Sequence, residues 1–443
     1  MSTTARRIAG ITVPLFSLRT ERSWGIGEIL DLVDFGRWAR DGALRLVQLL
    51  PLGGISDSET SPYSALTAFG IDPMYLSLSD VEELPEAELP ALLGDDGART
   101  LAWLRDRERV EYEPVRWLKN RAFRVAFERF HQHALHKGGA RADDFHRFIA
   151  EQRAWLDDYA LFRALKDAHE QRAWWEWSAP LRDRDPDVLS HARDAHAKDV
   201  LRHQYLQWLA HRQWARARAE LRAMGVEVMG DLPFMVGGDS ADVWANRGEF
   251  RNDGSVGVPG DQFDPDGQEW GLPPYHWRVM RSNAFRWLRR RTRYAGVLYD
   301  RFRIDHLVGF YRTYSRPIDH IRGPDGKLLP GAFDPPDEPS QLAHGEAVLR
   351  AMIEGARETG ASLIAEDLGN IPDYVRPSLA RLDVPGYKVL IWEQENGRFR
   401  DPAQYPARSV ACLGTHDTAA VATWWEQLPA WEREAVCRLP VLA

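Results

Sequence analysis

Short apolar segments alternate along the chain with helical or irregular stretches, and several of these segments end at a carboxylate. The alternation is typical of a parallel sheet whose crossovers are helices. Carboxylates at the ends of parallel strands are typical of the face on which barrel enzymes carry their active sites. Together, the two observations predict an α/β fold of the TIM (β/α)8-barrel type.

Seven segments have the length and apolar composition of buried strands. A (β/α)8 barrel needs eight strands, and the thirty residues after Leu413 contain one helical segment, from about Pro429 to Leu439, but no further strand. We therefore expect the eighth strand to be missing at the C-terminus, which would leave two strands with unpaired edges. The seven predicted strands are Ala43 to Leu52, Met74 to Leu78, Gly225 to Phe234, Tyr299 to Ile304, Ser362 to Ala365, Tyr387 to Trp392 and Ser409 to Leu413.

The pattern becomes helical between the second and third predicted strands. Residues 199–224 form one amphipathic segment, and earlier apolar residues recur at helical spacing. We therefore predict a single catalytic barrel domain over residues 1–443 that carries a helical insertion subdomain at residues 80–224. The Gly-, Asp- and Pro-rich residues 252–271 predict a long active-site loop, since long loops in compact domains often cover binding sites. The earlier helical positions are Trp155, Tyr159, Phe162 and Leu165.

Composition excludes several classes of partner. The formal net charge of −8 argues against nucleic acid, because phosphate binding needs a basic surface. No segment is long enough to span a membrane. The apolar stretch Ile8 to Leu18 is interrupted by polar residues and proline, so we expect a strand or loop there instead of a signal peptide. Cys412 and Cys437 form no disulfide framework and no metal-ligand pattern, which favours a cytoplasmic location.

Carboxylates lie at or just beyond the C-terminal ends of four predicted strands: Asp231, Asp305, Glu366 and Asp417. In a barrel these strand ends open on one face, so the four groups should meet there. No metal-ligand spacing and no Gly-rich phosphate loop accompanies them. The chemistry that remains needs two carboxylates, and glycosyl transfer is the leading candidate. The 18 Trp and 13 Tyr residues fit a sugar substrate, whose C–H faces stack on aromatic rings.

Each motif is weak when it is taken singly. Arg303 and Asp305 are two residues apart on a strand, so their side chains share a face and the guanidinium would keep the carboxylate ionised. Such a pair is more often an ordinary ion pair. Glu366 follows an apolar strand that would raise its pKa, although a strand-end Glu is often a cap or a salt-bridge partner. His416 and Asp417 could hold two sugar hydroxyls.

Together and in this order, the motifs resemble those of the amylomaltases, also called disproportionating enzymes. These are the 4-α-glucanotransferases of glycoside hydrolase family 77, in the α-amylase superfamily. The resemblance extends over essentially the whole chain. The matching runs are Ser61 to Ala65, Trp155 to Phe162, Gly230 to Pro233, Asp239 to Trp244, Gly267 to Gly271, Arg303 to His306, Ala365 to Gly369 and Gly414 to Asp417.

The resemblance implies a role for each matching residue. Asp305 would be the catalytic nucleophile, Glu366 the general acid/base and Asp417 the transition-state stabiliser. The resemblance also implies α-1,4-glucans or maltooligosaccharides as donor and acceptor, with no cofactor and no metal, in starch, glycogen and maltodextrin metabolism. The substrate-binding residues it implies are Ser61, Tyr63, Asp231, Trp270, Arg303 and His416.

Two positions depart from the family pattern. Residues 257–263 resemble the family's mobile loop over the cleft, but Pro259-Gly260-Asp261 replaces the usual Pro-Pro-Asp, which would loosen the loop. Thr418 stands where the family more often has Asn after the His-Asp pair. These departures concern the finer sugar contacts, and they leave the implied role of Asp417 unchanged.

The implied mechanism is a retaining double displacement, for which the carboxyl groups of Asp305 and Glu366 should lie about 5–5.5 Å apart. The same carboxylates would serve an α-1,4-glucan hydrolase, because exclusion of water and binding of the acceptor separate transfer from hydrolysis. An inactive or truncated glucan-binding homologue is a further alternative. The presence of Asp305, Glu366 and Asp417 argues against that alternative.

Overall fold

A computed structural model describes residues 7–56, 59–260, 265–395 and 397–440. Within these residues, the strands form two parallel sheets, of five and two strands, and two antiparallel sheets, of four and two strands. They are β1 (Gly10–Thr12), β2 (Leu46–Gln48), β3 (Glu227–Leu232), β4 (Gly254–Val258), β5 (Gln268–Leu272), β6 (Arg301–Ile304), β7 (Thr313–Pro317), β8 (Ala332–Asp334), β9 (Ser362–Ala365), β10 (Gly386–Val389), β11 (Gln394–Glu395), β12 (Arg398–Phe399) and β13 (Ser409–Cys412).

The α-helices of the described residues lie in the connections between the strands, six of them between β2 and β3, and two follow β13. They are α1 (Asp31–Asp41), α2 (Leu89–Arg105), α3 (Tyr112–Phe130), α4 (Ala140–Ala168), α5 (Ala179–Arg182), α6 (Pro186–Ala195), α7 (Ala197–Ala223), α8 (Ala241–Ala245), α9 (Trp277–Ser282), α10 (Arg286–Leu298), α11 (Glu338–Arg357), α12 (Val375–Arg381), α13 (Val421–Gln427) and α14 (Ala430–Cys437). No described helix combines the length and the apolar composition that crossing a membrane would require.

Five strands form one parallel sheet in the order β1-β2-β3-β6-β9, and β10 pairs in parallel with β13. The two sheets adjoin at β9 and β10, where the backbone N–H of Ala365 donates to the carbonyl of Pro385 at 2.8 Å. Met229, Ile364 and Tyr387, from β3, β9 and β10, pack in one apolar cluster. The parallel strands of both sheets therefore share a core.

Helix α3, in the helical region between β2 and β3, is anchored to earlier segments of the chain by a buried lysine. The Lys119 ammonium donates to Glu28 at 2.7 Å and to the carbonyls of Met74 and Leu76 at 2.7 and 2.8 Å. Burial raises the pKa of Glu28 to about 7, although the charge of Lys119 opposes the shift. Removal of either partner would leave a buried charge uncompensated.

One of the seven strand predictions is wrong. Met74 and Tyr75 belong to one 3-10 turn, Pro73–Tyr75, and Leu78 begins a second, Leu78–Asp80, with Leu76 and Ser77 between them. The Asp72 carboxylate accepts from the N–H of Met74, and Lys119 binds two carbonyls of the segment, so its backbone groups are not free to pair in a sheet. The remaining six segments each contain a parallel strand, and the three-residue β1, within the stretch predicted as strand or loop, is the seventh.

The stretch 252–271, predicted as a long active-site loop, contains strand β4 and most of β5. Strand β4 pairs antiparallel with β5 on one side and with β7 on the other, within a sheet of order β5-β4-β7-β8. Two of the five residues of β4 are glycines, so its sequence lacks the apolar pattern that predicts a strand. Its strand conformation comes from backbone pairing with its neighbours. Residues 261–264, which include part of the predicted loop, lie outside the described residues.

The helix expected near the end of the chain is present as α14, and α13 precedes it. Within the described residues 413–440, no strand follows β13. The side chains of Phe399, Val436 and Leu439 pack together, with Trp424 against them. This final segment therefore has a small core of its own beside the parallel pair β10 and β13.

Candidate active site

Strands β3, β6 and β9 bring three acidic residues to the same edge of the sheet. Asp231 lies in β3 and is in register with Arg303 of β6, which is in register with Ile364 of β9. Asp305 and Glu366 follow directly after β6 and β9. Because neighbouring parallel strands end together, these side chains occupy one face, as expected for barrel enzymes.

The buried Arg303 side chain joins two of these carboxylates. Its Nη1 atom lies 2.8 and 3.0 Å from the two carboxylate oxygens of Asp231 and 2.7 Å from Oδ1 of Asp305. Burial disfavours the charged guanidinium, but the two carboxylates outweigh it and raise the pKa of Arg303 above its ordinary value. The side chains of Arg303 and Asp305 therefore share one face, and the Asp305 carboxylate lies against a permanent positive charge.

The Glu366 side chain is suited to hold a proton. Its Oε2 atom accepts a hydrogen bond of 2.8 Å from the backbone N–H of His306. Burial raises the pKa of Glu366 to about 8; the charge of Arg303 opposes the shift, and that of Asp305 adds to it. A carboxyl group of this kind stays protonated at neutral pH and can act as a general acid.

His306 has a backbone conformation that is uncommon for a residue with a side chain. Its φ angle is 43°, in the left-handed region, and the chain there directs the N–H of His306 to Glu366. The imidazole packs edge-to-face on Trp270 and Phe234, with ring centroids 5.0 and 5.4 Å away. Burial lowers its pKa to about 4, so the ring is neutral at working pH. Strained backbone of this kind is often found at functional sites.

Tyr63 connects the two sides of the site. Its hydroxyl donates to Oδ2 of Asp231 at 2.6 Å and lies 2.7 Å from Nε2 of His416, while the Tyr63 and His416 rings stack 5.6 Å apart. Burial, with the nearby Asp231, raises the pKa of Tyr63 above its ordinary value. The phenol therefore keeps its one proton, which goes to Asp231, and we assign the proton between Tyr63 and His416 to Nε2 of the imidazole.

Asp417 lies on the open side of the site. Its side chain is 65% exposed, and Oδ1 lies 3.3 Å from Nε2 of His416. The loop that carries it is closed by Thr418, whose hydroxyl donates to the carbonyl of Thr415 at 2.8 Å and accepts from the N–H of Thr415 at 3.1 Å. The threonine that replaces the family's more frequent asparagine thus stabilises the turn around Asp417.

The other two predicted residues lie farther from the carboxylates. Ser61 occupies an exposed turn, where its hydroxyl accepts from the N–H of Tyr63 at 3.4 Å. Trp270, in β5, donates to Gln268 at 3.0 Å and contacts His306, the residue after Asp305. Of the predicted cleft loop at residues 257–263, only residues 257–260 are among those described.

Two further residues support the site, although they were not among those predicted from the sequence. His306 orients Glu366, as described above. The buried Asp367 carboxylate accepts from the N–H of Tyr387 at 2.7 Å and pairs with Arg376 at 3.0 Å, so it fastens the end of β9 to β10. The consecutive acidic residues Glu366 and Asp367 were the only signal for this second role.

The arrangement contains the groups that glycosyl chemistry needs. An arginine-paired carboxylate, Asp305, lies beside a carboxyl group that keeps its proton, Glu366. This pairing can supply a nucleophile and a general acid at neutral pH. In the part of the chain that the structure describes, no three His, Cys, Asp or Glu side chains are grouped so that they could hold a metal ion.

Comparisons with known proteins agree with this chemistry. The family model of glycoside hydrolase family 77, described as 4-alpha-glucanotransferase, matches residues 13–440. The 4-alpha-glucanotransferase of Chlamydia muridarum (strain MoPn / Nigg) is 32% identical over 423 residues, which are 95% of this chain and 76% of that protein. The 4-alpha-glucanotransferase of Thermus thermophilus is 32% identical over 428 residues, or 94% of this chain and 79% of that protein. An amylomaltase from Streptococcus agalactiae in complex with acarbose has a similar fold, with a TM-score of 0.83 and 24% identity over 98% of this chain and 85% of its own.

Proposed function

Because the chain belongs to the 4-alpha-glucanotransferase family, glycoside hydrolase family 77, we propose that it moves α-1,4-glucan segments between maltodextrins by a retaining double displacement. It is an enzyme, a transferase that acts on hexosyl groups, as its family implies. The mechanism and the residue roles are the proposal. The observation that supports them most is the raised pKa of Glu366 beside the arginine-paired Asp305.

In the first step, Glu366 donates its proton to the glycosidic oxygen while a carboxylate oxygen of Asp305 attacks the anomeric carbon. The glycosidic bond breaks, the shortened glucan leaves with the proton, and the transferred segment is held as an ester of Asp305. Arg303 supports this role because its guanidinium lies 2.7 Å from the Asp305 carboxylate and fixes its position.

In the second step, the deprotonated Glu366 removes the proton from the 4-hydroxyl of an incoming glucan. That oxygen attacks the anomeric carbon, the ester to Asp305 breaks, and both residues return to their starting states. Two inversions give net retention, and we expect about 5–5.5 Å between the two carboxyl groups. Asp417 would stabilise the positive charge that develops on the sugar ring, since a carboxylate aimed at developing charge lowers the barrier.

The remaining polar residues would hold the donor and the acceptor. Tyr63, Asp231 and His416 form one hydrogen-bonded chain that leads to Asp417, and we assign this chain to the donor sugar. Trp270, which contacts His306, is assigned to the acceptor. The complex of the Streptococcus agalactiae amylomaltase with acarbose supports an oligosaccharide in the corresponding cleft, and Ser61 would lie at its edge.

We further propose that β1, β2, β3, β6, β9, β10 and β13 are strands of one (β/α)8-type barrel, with residues 80–224 as a helical insertion and residues 252–271 over the cleft. The hydrogen bond from Ala365 to Pro385 supports this arrangement, since it joins the two parallel sheets. In the described residues, the position between β13 and β1 has no strand. Cys412 and Cys437 are free thiols, in keeping with a reducing cytoplasm.

Incubation with maltotriose tests the function. Transfer gives glucose together with longer maltodextrins, hydrolysis gives only shorter products, and a binding protein leaves the maltotriose unchanged. We expect glucose and maltopentaose as the first products. A product mixture with nothing longer than maltotriose would refute the transferase function for this chain.

A further inference from the structure

Trp175 is an exposed aromatic residue beside the cleft that the mechanism does not use. Its side chain is 49% exposed, in the connection between α4 and α5. A Cβ atom built on Gly238 would lie 3.9 Å from Cζ3 of Trp175 and 3.7 Å from Cδ of Pro273. The indole therefore lies where the chain after β3 meets the chain after β5.

This position is on the face of the catalytic residues. The chain after β3 also contacts the segment that contains Tyr63, because a Cβ on Gly237 would lie 3.3 Å from the carbonyl oxygen of Ala65. Pro273 is three residues beyond Trp270, which corresponds to about 10 Å of extended chain at roughly 3.3 Å per residue. The chain that carries Trp270 therefore passes beside Trp175 within a few residues.

The turn that carries Trp175 is fixed by a buried lysine. Lys166 donates to two carbonyls of the turn at 2.6 and 2.9 Å and to Asp239 at 2.5 Å. The backbone N–H of Trp174 donates to Asp239 at 3.2 Å, and its indole N–H donates to the carbonyl of Gly238 at 2.8 Å. Trp175 is therefore exposed on a well-supported turn, and such preorganisation favours binding because little entropy is lost.

The face of the Trp175 ring is also unoccupied by a cation. Two other exposed tryptophans of the helical region, Trp103 and Trp117, each have an arginine over the ring, at 5.2 and 5.0 Å. Among the described residues, no arginine or lysine is placed over Trp175. The neighbouring Trp174 contacts the Trp175 ring in a T-shaped arrangement, with ring centroids 5.6 Å apart. The exposed half of the indole has the kind of surface that stacks on the C–H face of a glucose ring.

We propose that Trp175 is an acceptor-side binding residue that contacts α-1,4-glucan units beyond the unit next to Trp270. The inference rests on the proposed transferase function and adds acceptor-length selectivity to it. Short acceptors, which end before Trp175, do not reach the indole, whereas longer maltooligosaccharides stack on it. The enzyme consequently favours long acceptors over glucose.

Steady-state transfer with glucose or maltotetraose as acceptor tests the proposal. We expect Trp175→Ala to raise the ratio of the maltotetraose KM to the glucose KM about tenfold. Trp175→Phe retains an aromatic ring, so its ratio should stay close to that of the unmodified enzyme. The matched control is Trp38→Ala, an exposed indole on α1, which should leave the ratio unchanged. A ratio that Trp175→Ala does not change would overturn the proposal.

A binding measurement separates this proposal from the proposed function. In the Asp305→Asn background, calorimetry with maltoheptaose should give a Kd about fivefold higher once Trp175→Ala is added. This result would support the contact even if the unmodified enzyme failed to transfer maltotriose. Equal Kd values, in an enzyme that does transfer, would reject Trp175 as a binding residue and leave the transferase function in place.

Discussion

The two sides of the candidate site differ in how firmly the protein holds them. On one side, Asp231, Arg303 and Glu366 are attached to the five-stranded sheet, and ion pairs or backbone hydrogen bonds fix each side chain. On the other side, the loop after β13 carries His416 and the largely exposed Asp417. Tyr63 is the hydrogen-bonded link between them.

The two sides of the site differ in rigidity, and this difference suits them to different functions. Groups that exchange protons or form bonds need fixed distances and shifted pKa values, and a buried ion-pair network supplies both. A carboxylate that holds a sugar must also release it, and an exposed position on a separate strand pair permits that. Substitutions on the fixed side should therefore alter stability and chemistry together, whereas substitutions on the open side should alter chemistry alone.

The largest effect is expected at the nucleophile. Asp305→Asn keeps the shape of the side chain but removes the attacking charge, so kcat for maltotriose transfer should fall about 10⁴-fold or more. Initial rates of glucose release measure the loss. Asp319→Asn, at an exposed position after β7, is the control and should retain the full rate. An Asp305→Asn variant with more than a tenth of the activity would refute the assignment.

Arg303→Met should affect stability most. It leaves Asp231 buried without its partner, and removal of one member of a buried pair costs about 3–5 kcal/mol of unfolding free energy. Urea unfolding measures the change. The control is Arg293→Met at the exposed pair with Glu358, which should cost less than about 0.5 kcal/mol. Equal midpoints for the two variants would contradict the ion-pair network.

Asp417→Asn should separate chemistry from stability. We expect kcat to fall about 10²–10³-fold, as when one group that stabilises transition-state charge is removed. The melting temperature should stay within about 1 °C of the unmodified value, because the side chain is exposed and surface substitutions change stability little. A large fall in melting temperature would mean that the open side is as tightly bound into the fold as the other.

The pH profile should depend on Glu366. Its pKa is raised to about 8, so the acid form is present below that pH and is lost as the pH rises through it. The kcat/KM for maltotriose should therefore be level from pH 6 to about 7.5 and fall about tenfold per unit above pH 8, since kcat/KM reports the free enzyme. A profile that stays level to pH 9.5 would exclude Glu366 as the acid.

The smallest effect is expected where the two sides meet. Tyr63→Phe removes the hydroxyl that joins Asp231 to His416 but keeps the ring that stacks on His416. A hydrogen bond to a charged group contributes about 1.5–3 kcal/mol, and at the lower end of that range kcat/KM should fall about tenfold. Combination with Asp417→Asn in a double-mutant cycle checks the link. Strict additivity would indicate that the open side does not depend on Tyr63.

Much of this arrangement could be predicted from sequence because strand ends in parallel sheets are predictable. An apolar run precedes each of Asp231, Asp305 and Glu366. The two-residue spacing of Arg303 and Asp305 predicted that their side chains lie on the same face of the strand. The bond from Arg303 to Asp231 could not be predicted, because it depends on the register of β6 against β3.

The errors have a common physical origin. Met74 to Leu78 is apolar enough for a strand, but a residue 45 positions away, Lys119, takes the carbonyl of Met74. Strand β4 is rich in glycine, and only its pairing with β5 and β7 makes it regular. In both cases contacts with distant residues determine the local structure, and such contacts cannot be predicted from the local amino-acid sequence.

The junction of the two parallel sheets has a consequence for amide exchange. Strands β9 and β10 are joined by the backbone hydrogen bond from Ala365 to Pro385 and by the hydrogen bond from the N–H of Tyr387 to the Asp367 carboxylate. The amides of β10 and β13 should therefore exchange with deuterium sooner than those of β3 and β6, as a unit that opens locally. Asp417 follows β13, so we expect it to open with that unit. The enzyme could thus loosen its hold on a finished glucan while the amides beneath Asp305 and Glu366 remain protected.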